Sequence, residues 1–193
     1  KKMVKLDHLL RNLVHRKYPE IRAGSAYLLG ELEFREEDRP RIAEALHNAI
    51  SDPEARVHFE AMRSLGRIKE LTLEEVRPSL KANLIRIRLE ALIALEHIDS
   101  PEVDIILQNW VNRTEESTVT RAVAAKILGL RSTKTAVPVL MDALMDEATV
   151  VREHAALALG RIGSPFAITP LFQCLIDEDE MVRYAAGVAL ACL

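Results

Sequence analysis

The stretch VVREHAALALGRIGSP, residues 150–165, decides the fold because it returns 31 residues later as MVRYAAGVALACL, residues 181–193. The repetition places Arg152 in register with Arg183. Earlier copies of the pattern carry, at the arginine position, Arg121, Arg88, His58 and Arg22. Because repetition at such a period is typical of arrays of stacked structural units, the chain is predicted to contain six copies of one unit.

Each copy is an amphipathic helix, and a second helix accompanies it. Ala155, Leu159 and Ile162 fall at i, i+4 and i+7, which indicates an apolar stripe along a helix that we call first-type. A second apolar segment, AVPVLMDALMD at residues 136–146, recurs as AITPLFQCLID at residues 167–177, and we call it second-type. Since a helix pair cannot bury its apolar face alone, we predict an all-α fold, a right-handed α-solenoid (superhelix) of about six stacked helix pairs.

No change in composition and no flexible linker interrupts the repeats, so residues 1–193 are predicted to form a single array. Its parts are a second-type helix at 3–16, repeats near 18–51, 53–82, 84–113, 116–146 and 148–177, and an incomplete repeat at 179–193. Both ends fall inside a helix pair, which leaves these apolar positions without an outer cover: Val4, Leu6, Leu10, Val14, Val182, Ala186 and Leu190. The sequence is therefore either an excerpt of a longer array or a chain whose terminal helices self-associate.

Composition excludes several classes of protein. Aromatic residues make up only 4% of the chain, too few for an all-β core, whereas 49% hydrophobic residues exclude a disordered chain. A net charge of -3 gives no basic excess for binding phosphates or anionic lipid, so neither nucleic acid nor a membrane is an expected partner. Cys174 and Cys192 lack metal-ligand spacing, and no apolar run reaches the length of a transmembrane helix. We expect a cytoplasmic protein without cofactor or metal.

The best copy also has the pattern of a known repeat. It reads D-x-x-x-x-V-R-x-x-A-A-x-A-L-G-x-I-G-x-P, then A-x-x-P-L-x-x-x-L-x-D, and closely resembles the short HEAT-like repeats first recognised in phycobilisome lyases. The matching residues are Asp146, Val151, Arg152, Ala155, Ala156, Ala158, Leu159, Gly160, Ile162, Gly163, Pro165, Ala167, Pro170, Leu171, Leu175 and Asp177. The resemblance covers essentially the whole chain and is strongest from about residue 117. It implies stacked HEAT-like helix pairs but no single activity, because the family's activities are diverse.

The repeated arginines are interpreted as structural. Asp146 and Asp177 lie six residues before Arg152 and Arg183, and such a carboxylate can cap the helix and bind the guanidinium, which would join neighbouring repeats. Glu115 has the same relation to Arg121. For two other arginines, the position six residues earlier holds no acid. We therefore expect these two to be freer to bind a ligand: Arg22, which follows Arg16, and Arg88, which follows Ala82.

No catalytic residues are predicted. Deoxyhypusine hydroxylase resembles this chain in its repeats and binds iron through His-Glu pairs just after the arginine position, but no equivalent dipeptide here reads His-Glu, and Glu153-His154 has the reverse order. Without imidazole ligands such an iron site is not expected. A bilin lyase or isomerase subunit, or another enzyme-accessory protein, stays an alternative because the resemblance includes that family.

Partner-binding residues are predicted on the second-type helices. The resemblance to HEAT-like solenoids implies that these helices line a concave surface, with the residues one and five places after the anchor leucine facing it. The first row is Arg11, His47, Arg77, Gln108, Met141 and Phe172. The second row is His15, Ser51, Lys81, Asn112, Met145 and Ile176. Core packing is the favoured alternative for Met141 and Phe172, whose position is often apolar in the family.

These rows lead to a hypothesis of function. Met145 and Ile176 occupy a position that is usually polar in the family, and exposed apolar side chains indicate a binding partner. We therefore expect a non-catalytic scaffold whose Met145/Ile176 patch anchors a protein segment, with Arg11, Arg77 and Lys81 recruiting an acidic stretch. Trp110 replaces a small residue, so it either fills a wider groove or reaches the surface as an anchor.

Overall fold

A computed structural model describes residues 6–193, and over this range the chain is all α-helical, with no strand. The helices are α1 Leu6–Leu13, α2 Pro19–Glu31, α3 Arg39–Ile50, α4 Ala55–Arg67, α5 Leu73–Leu80, α6 Ile85–Ala94, α7 Pro101–Val111, α8 Thr118–Leu130, α9 Val137–Ala143, α10 Thr149–Ile162, α11 Ile168–Cys174 and α12 Glu180–Ala191. The even-numbered helices are first-type and the odd-numbered ones second-type. Residues 3–5 of the predicted opening helix lie outside the described residues. None of the described helices has the length and hydropathy that crossing a bilayer requires.

The chain forms two compact units, of which unit 1 ends at Ser79 and unit 2 is Leu80–Leu193. In unit 1, α2 packs along α4, and α1 and α3 each pack against a first-type helix. In unit 2, α8 packs against both α6 and α10, and α10 packs against α12, with α7, α9 and α11 beside them. Stacked helix pairs are thus present within each unit, while the single array over 1–193 stays a prediction.

Small residues bring the first-type helices close together. A Cβ atom placed on Gly129 of α8 would lie 2.6 Å from the Cα of Ala158 on α10. A Cβ on Gly160 of α10 would lie at the same 2.6 Å from the Cα of Ala189 on α12. Only glycine permits this backbone approach, so its position in the repeat sets the spacing of the stack in unit 2.

The anchor leucines fill each layer of the core. Leu107, Leu140 and Leu171 occupy the same repeat position in unit 2, and all three are 0% exposed. Trp110 is also buried, at 2% exposed, and the Arg113 guanidinium lies over its ring. Of the two alternatives for Trp110, the structure therefore shows core filling, because the wide indole takes the place of the small residue in neighbouring repeats.

The prediction of uncovered apolar residues near the ends is partly wrong. Val182 and Ala186 are fully buried, because these positions of α12 face α10 and α11 rather than the outer side. At the other end Leu6 and Leu10 are half-buried, and only Val14 is strongly exposed. Val4 lies outside the described residues.

Candidate functional site

The repeated arginine binds two neighbouring turns at once. In Arg152, Nε and Nη2 each donate to the Asp177 carboxylate at 2.9 Å, while Nη1 donates to the backbone carbonyls of Asp146 at 2.9 Å and Glu147 at 3.2 Å. Hydrogen bonding to Asp177 raises the pKa of Arg152, and the same contact lowers the pKa of Asp177. The paired side chains are only 8% and 13% exposed, so this link is a structural connection between repeats.

The predicted partner of each arginine is wrong by one repeat. Arg121 pairs with Asp146, 25 residues downstream, and Arg152 pairs with Asp177 at the same separation. The aspartate six residues before Arg152 contributes its backbone carbonyl instead, because its carboxylate already accepts from the preceding arginine and from the N–H of Ala148. The link joins neighbouring repeats, but it runs in the direction opposite to the predicted one.

Two arginines expected to be freer are in fact paired. Arg22 donates to both carboxylate oxygens of Asp52, at 2.6 and 2.9 Å, and Arg88 donates twice to one oxygen of Glu116, at 2.9 and 3.2 Å. Both acids lie one repeat downstream, where the prediction did not place the partner. Glu115, the acid predicted to link to Arg121, is exposed.

Arg183 keeps only half of this arrangement. Its Nη1 donates to the backbone carbonyls of Asp177 and Glu178, at 2.7 and 2.9 Å. Within residues 6–193 we find no carboxylate that pairs with it, so the predicted side-chain bond between Asp177 and Arg183 is wrong. The carboxylate of Asp177 is held by Arg152.

Sequence reasoning missed two further connections. His58, at the arginine position of α4, lies 2.5 Å from the backbone carbonyl of Ile50 and 3.1 Å from the hydroxyl of Ser79, and so connects the ends of α3 and α5 in unit 1 without an ion pair. Arg131 donates to the Asp104 carboxylate at 2.8 Å and to the carbonyl of Ile98 at 2.6 Å. The resemblance gives no signal for Arg131, because the equivalent turn of the best copy has no arginine.

The predicted binding residues of unit 1 already have contacts within the chain. Arg11 is exposed, but its Nε donates to the backbone carbonyl of Asp7 at 3.1 Å. His47 lies 2.5 Å from Glu75. Burial would raise the pKa of Glu75, but hydrogen bonds from Thr72 and His47 outweigh it and leave that pKa below its usual value.

The other two basic residues of the rows differ in their surroundings. Arg77 pairs with Glu74 at 2.8 Å and is half-buried. Lys81 belongs to unit 2 and is exposed in the turn after α5. The structure therefore divides the predicted basic residues between the two units.

In unit 2 the same rows become apolar toward the end of the chain. Gln108 donates to the hydroxyl of Thr135 at 3.4 Å, and Asn112 is exposed after α7. Phe172 is 59% exposed, so the alternative of core packing is wrong for this residue. Met145 and Ile176 are 80% and 87% exposed, each on the turn that follows a second-type helix.

Met145 and Ile176 meet at one cavity of about 530 Å³. It lies between the turn after α9 and the turn after α11, and its walls include the Arg152–Asp177 ion pair. Glu147 and Glu178 line it as well. The two apolar side chains, which we call the apolar pair, therefore belong to one surface.

A second, larger cavity of about 820 Å³ lies beside the turns that precede α9 and α11. Its lining is mainly apolar and includes Pro138, Met141, Ile162 and Phe166, and Lys134 is the one basic residue of this lining. Phe166 is 79% exposed, and sequence reasoning missed it because it lies in a turn rather than in either row. Met141, predicted on the binding surface, is half-buried here.

The described residues show no cluster for metal or thiol chemistry. Among residues 6–193, no three His, Cys, Asp or Glu side chains are grouped so that they could hold a metal ion. Cys174 and Cys192 are free cysteines. Burial raises the pKa of the Cys174 thiol, which makes it a poor nucleophile at neutral pH.

The repeat geometry agrees with comparisons with known proteins. Residues 107–191 match the family model for HEAT repeats. No curated protein matches the sequence. The matched range includes the arginine–carboxylate links of α8 and α10 and the apolar pair.

Solved structures share the fold at low sequence identity. The complex of CpcE and CpcF of phycocyanin lyase from Nostoc sp. PCC7120 is 18% identical with a TM-score of 0.63, over 96% of this chain and 76% of that one. Human deoxyhypusine hydroxylase is 23% identical with a TM-score of 0.56, over 97% and 73%. A designed armadillo repeat protein in complex with the peptide (KR)4 is 15% identical with a TM-score of 0.61, over 97% and 99%. The predicted fold class, all-α with stacked HEAT-like helix pairs, is confirmed.

Proposed function

We propose that this chain is a non-catalytic, cytoplasmic scaffold of the short phycobilisome-lyase type of HEAT-like repeat. It binds a segment of a partner protein on the second-type helices of unit 2. The observation that carries the proposal is the apolar pair, because two equivalent side chains of neighbouring repeats are 80% and 87% exposed and line one cavity. Apolar side chains exposed side by side at a regular spacing are a feature of binding surfaces.

The core beneath the apolar pair is well packed. Leu144, next to Met145, is 2% exposed, and Leu171, on α11, is 0% exposed. The turn that carries Met145 is thus attached to a buried leucine, which reduces the conformational entropy that binding would cost, whereas Leu175, next to Ile176, is 37% exposed. Covering one large apolar side chain fully contributes about 1.5–3 kcal/mol, so Met145 and Ile176 are suited to be the main anchors.

Arg11 and Arg77 are not part of the proposed binding site. Arg77 is paired with Glu74, and Arg11 donates to a backbone carbonyl of its own helix. These contacts would have to break, or be shared, before either guanidinium could bind a partner's carboxylate. Unit 2 contains the apolar pair, and we base the proposal on this unit alone.

The comparisons support this proposal through the fold. A designed armadillo repeat protein with a similar fold is described in complex with a peptide, so helix-pair arrays can present a surface for an extended segment. At 15% identity this likeness identifies no residue of the present chain. The residues of the proposed site are Met145 and Ile176.

The test is affinity capture from the source cells with the wild-type chain and the double variant Met145→Ser and Ile176→Ser. Both side chains are almost fully exposed, so the double variant should keep the helix content and stability of the wild type. We expect it to lose the partners that the wild type captures.

The matched control changes two exposed apolar residues of the first-type helix α8, Val119→Ser and Leu130→Ser. This control should capture the same partners as the wild type. Equal capture by the wild type and the Met145/Ile176 variant would remove the proposal, and measurable turnover of a substrate by the purified chain would contradict its non-catalytic part.

A further inference from the structure

The apolar pair lies within an acidic sequence pattern that is repeated. Met145 is followed directly by Asp146 and Glu147, and 31 residues further along Ile176 is followed directly by Asp177 and Glu178. Each triplet has the order apolar, aspartate, glutamate, and all six residues line the same cavity. The surface around the apolar pair is therefore built from two copies of one chemical pattern.

The aspartate and the glutamate of each triplet have different roles. The carboxylate of Asp146 is paired with Arg121 and that of Asp177 with Arg152, the buried arginines of the structural link. Glu178 is 86% exposed, and its only ion pair in the described chain is a 3.4 Å contact with Arg152, which already binds Asp177.

Glu147 is likewise exposed, and over residues 6–193 we find no ion pair of its carboxylate. The two glutamates are thus the negative charges of the triplets that stay available to a partner. Both remain solvated in the free chain, so neither carries an unfavourable buried charge before binding.

The charge of the surrounding sequence has the same sign. Residues 137–193 contain eight acidic residues and three arginines, although the whole chain has a net charge of only -3. Two of these arginines are engaged, because Arg152 binds Asp177 and Arg183 donates to two backbone carbonyls. Arg161, at the end of α10, is the third. An approaching segment therefore meets a negative surface around the apolar pair.

We infer that the partner of this surface is a basic segment of another protein, in which apolar side chains lie next to Lys or Arg or alternate with them. This inference rests on the proposed function and adds the chemistry of the partner. Apolar side chains of the segment cover Met145 and Ile176, and its cations approach Glu147 and Glu178. An acidic segment would bring like charges together at Glu147 and Glu178 and is therefore disfavoured.

The test uses three labelled synthetic peptides of equal length and measures their binding by fluorescence anisotropy at low and at physiological salt. One alternates Leu with Lys, one alternates Leu with Glu, and one alternates Ser with Lys. We expect the Leu-Lys peptide to bind tightest, the Ser-Lys peptide to bind weakly because it lacks the apolar contacts, and the Leu-Glu peptide not to bind.

Two double variants separate charge from apolar contact. Glu147→Gln with Glu178→Gln should weaken binding of the Leu-Lys peptide by about threefold to tenfold at low salt and less at high salt, as expected for solvent-exposed charge pairs. The control with the same charge change is Glu44→Gln with Glu115→Gln, two exposed acids outside the cavity, and it should bind like the wild type. Met145→Ser with Ile176→Ser should reduce binding of the Leu-Lys peptide to the level of the Ser-Lys peptide.

The outcomes distinguish the two proposals. If the Leu-Glu peptide binds as tightly as the Leu-Lys peptide, or if the glutamate variant binds like the wild type, the basic partner is wrong while the apolar site stands. If the Met145/Ile176 variant binds every peptide like the wild type, or if the wild type binds none, the proposed surface itself fails. A dimer that the Met145/Ile176 variant dissolves and the glutamate variant preserves would assign the surface to a second copy of the chain and overturn the inference.

Discussion

Replacing Gly129 by alanine should destabilise unit 2, although alanine is normally the better helix residue. The added methyl carbon would lie 2.6 Å from the Cα and 2.8 Å from the Cβ of Ala158, where carbon atoms normally approach to about 3.5–4.0 Å. Helices α8 and α10 must then move apart by about 1 Å, since a backbone atom cannot rotate away. Overpacking of this kind typically costs about 1–3 kcal/mol, and occasionally more.

The expected net effect follows from two opposing contributions. In a helix interior, alanine is favoured over glycine by about 1 kcal/mol. Because the clash involves backbone, we place its cost at the upper end of the range and expect a net loss of about 2 kcal/mol. In a chain of this length such a loss lowers the melting temperature by about 4–8 °C.

The matched control is Gly187→Ala in α12 of the same unit. A Cβ there meets only Leu175 Cδ2, at 4.0 Å, which is ordinary van der Waals contact. This variant should therefore gain up to about 1 kcal/mol from helix propensity. The two substitutions are chemically identical and are expected to change stability in opposite directions.

The measurement is urea unfolding, followed by far-UV circular dichroism and by the fluorescence of Trp110, which is buried in unit 2. Adding Ala158→Gly to the Gly129→Ala variant should restore only part of the loss, because the Cα of residue 158 remains at the closest distance. A Gly129→Ala chain as stable as the wild type would refute the close packing of α8 and α10.

Further predictions concern the structural link, the tryptophan and the thiols. Arg152→Met should cost about 3 kcal/mol in urea unfolding, because it leaves the largely buried Asp177 carboxylate without its cation. The folded-state pKa of Asp177 lies below its unfolded value of about 3.9, so its contribution to stability is complete above that pH and disappears as the pH falls through the folded-state pKa. Asp177→Asn should therefore flatten the acid side of a stability–pH curve, and an unchanged acid side would count against the link. Trp110, the one tryptophan of the sequence, should emit at short wavelength and resist quenching by acrylamide in the native chain, whereas strong quenching would contradict its burial. A thiol reagent should modify the exposed Cys192 quickly and the buried Cys174 only on unfolding, and rapid modification of both would contradict the packing of α11.

The repeat pattern predicted most of the fold because each repeat position has one physical role. Buried Leu140 and Leu171, and the close-approach residue Gly160, lie where the spacing of the copies placed them. Trp110 stayed ambiguous, since a large aromatic side chain is compatible with both a core and an interface, and only the shape of the surrounding helices decides between them.

The arginine partners could not be derived from spacing alone. Asp146 is only six residues from Arg152 in the sequence, so spacing along the chain favours a pair between these two side chains. In the stacked repeats the Asp146 carboxylate instead binds Arg121, and only its backbone carbonyl binds Arg152. The same reasoning failed for Arg22, since its partner Asp52 is 30 residues away. Long-range pairing depends on the direction in which a side chain points between two stacked turns, and the sequence does not contain that direction.

The apolar pair was predictable because Met145 and Ile176 depart from the polar residue expected at their position. Glu147 and Glu178 were not singled out, since exposed glutamates are common and nothing in the sequence distinguishes them from paired ones. Their significance comes from the structure, in which the arginines occupy the neighbouring aspartates and leave the glutamates to solvent.

The link between Arg152 and Asp177 also makes the repeats interchangeable parts. Suppose that a second copy of residues 147–177 were inserted directly after Asp177. Each Arg152 would then be followed by its own Asp177, and each Gly160 by a small residue 29 positions further along, as in the present sequence. The chain could thus grow by whole modules without redesign of any junction, and each added module would extend the row of apolar and acidic side chains by one step.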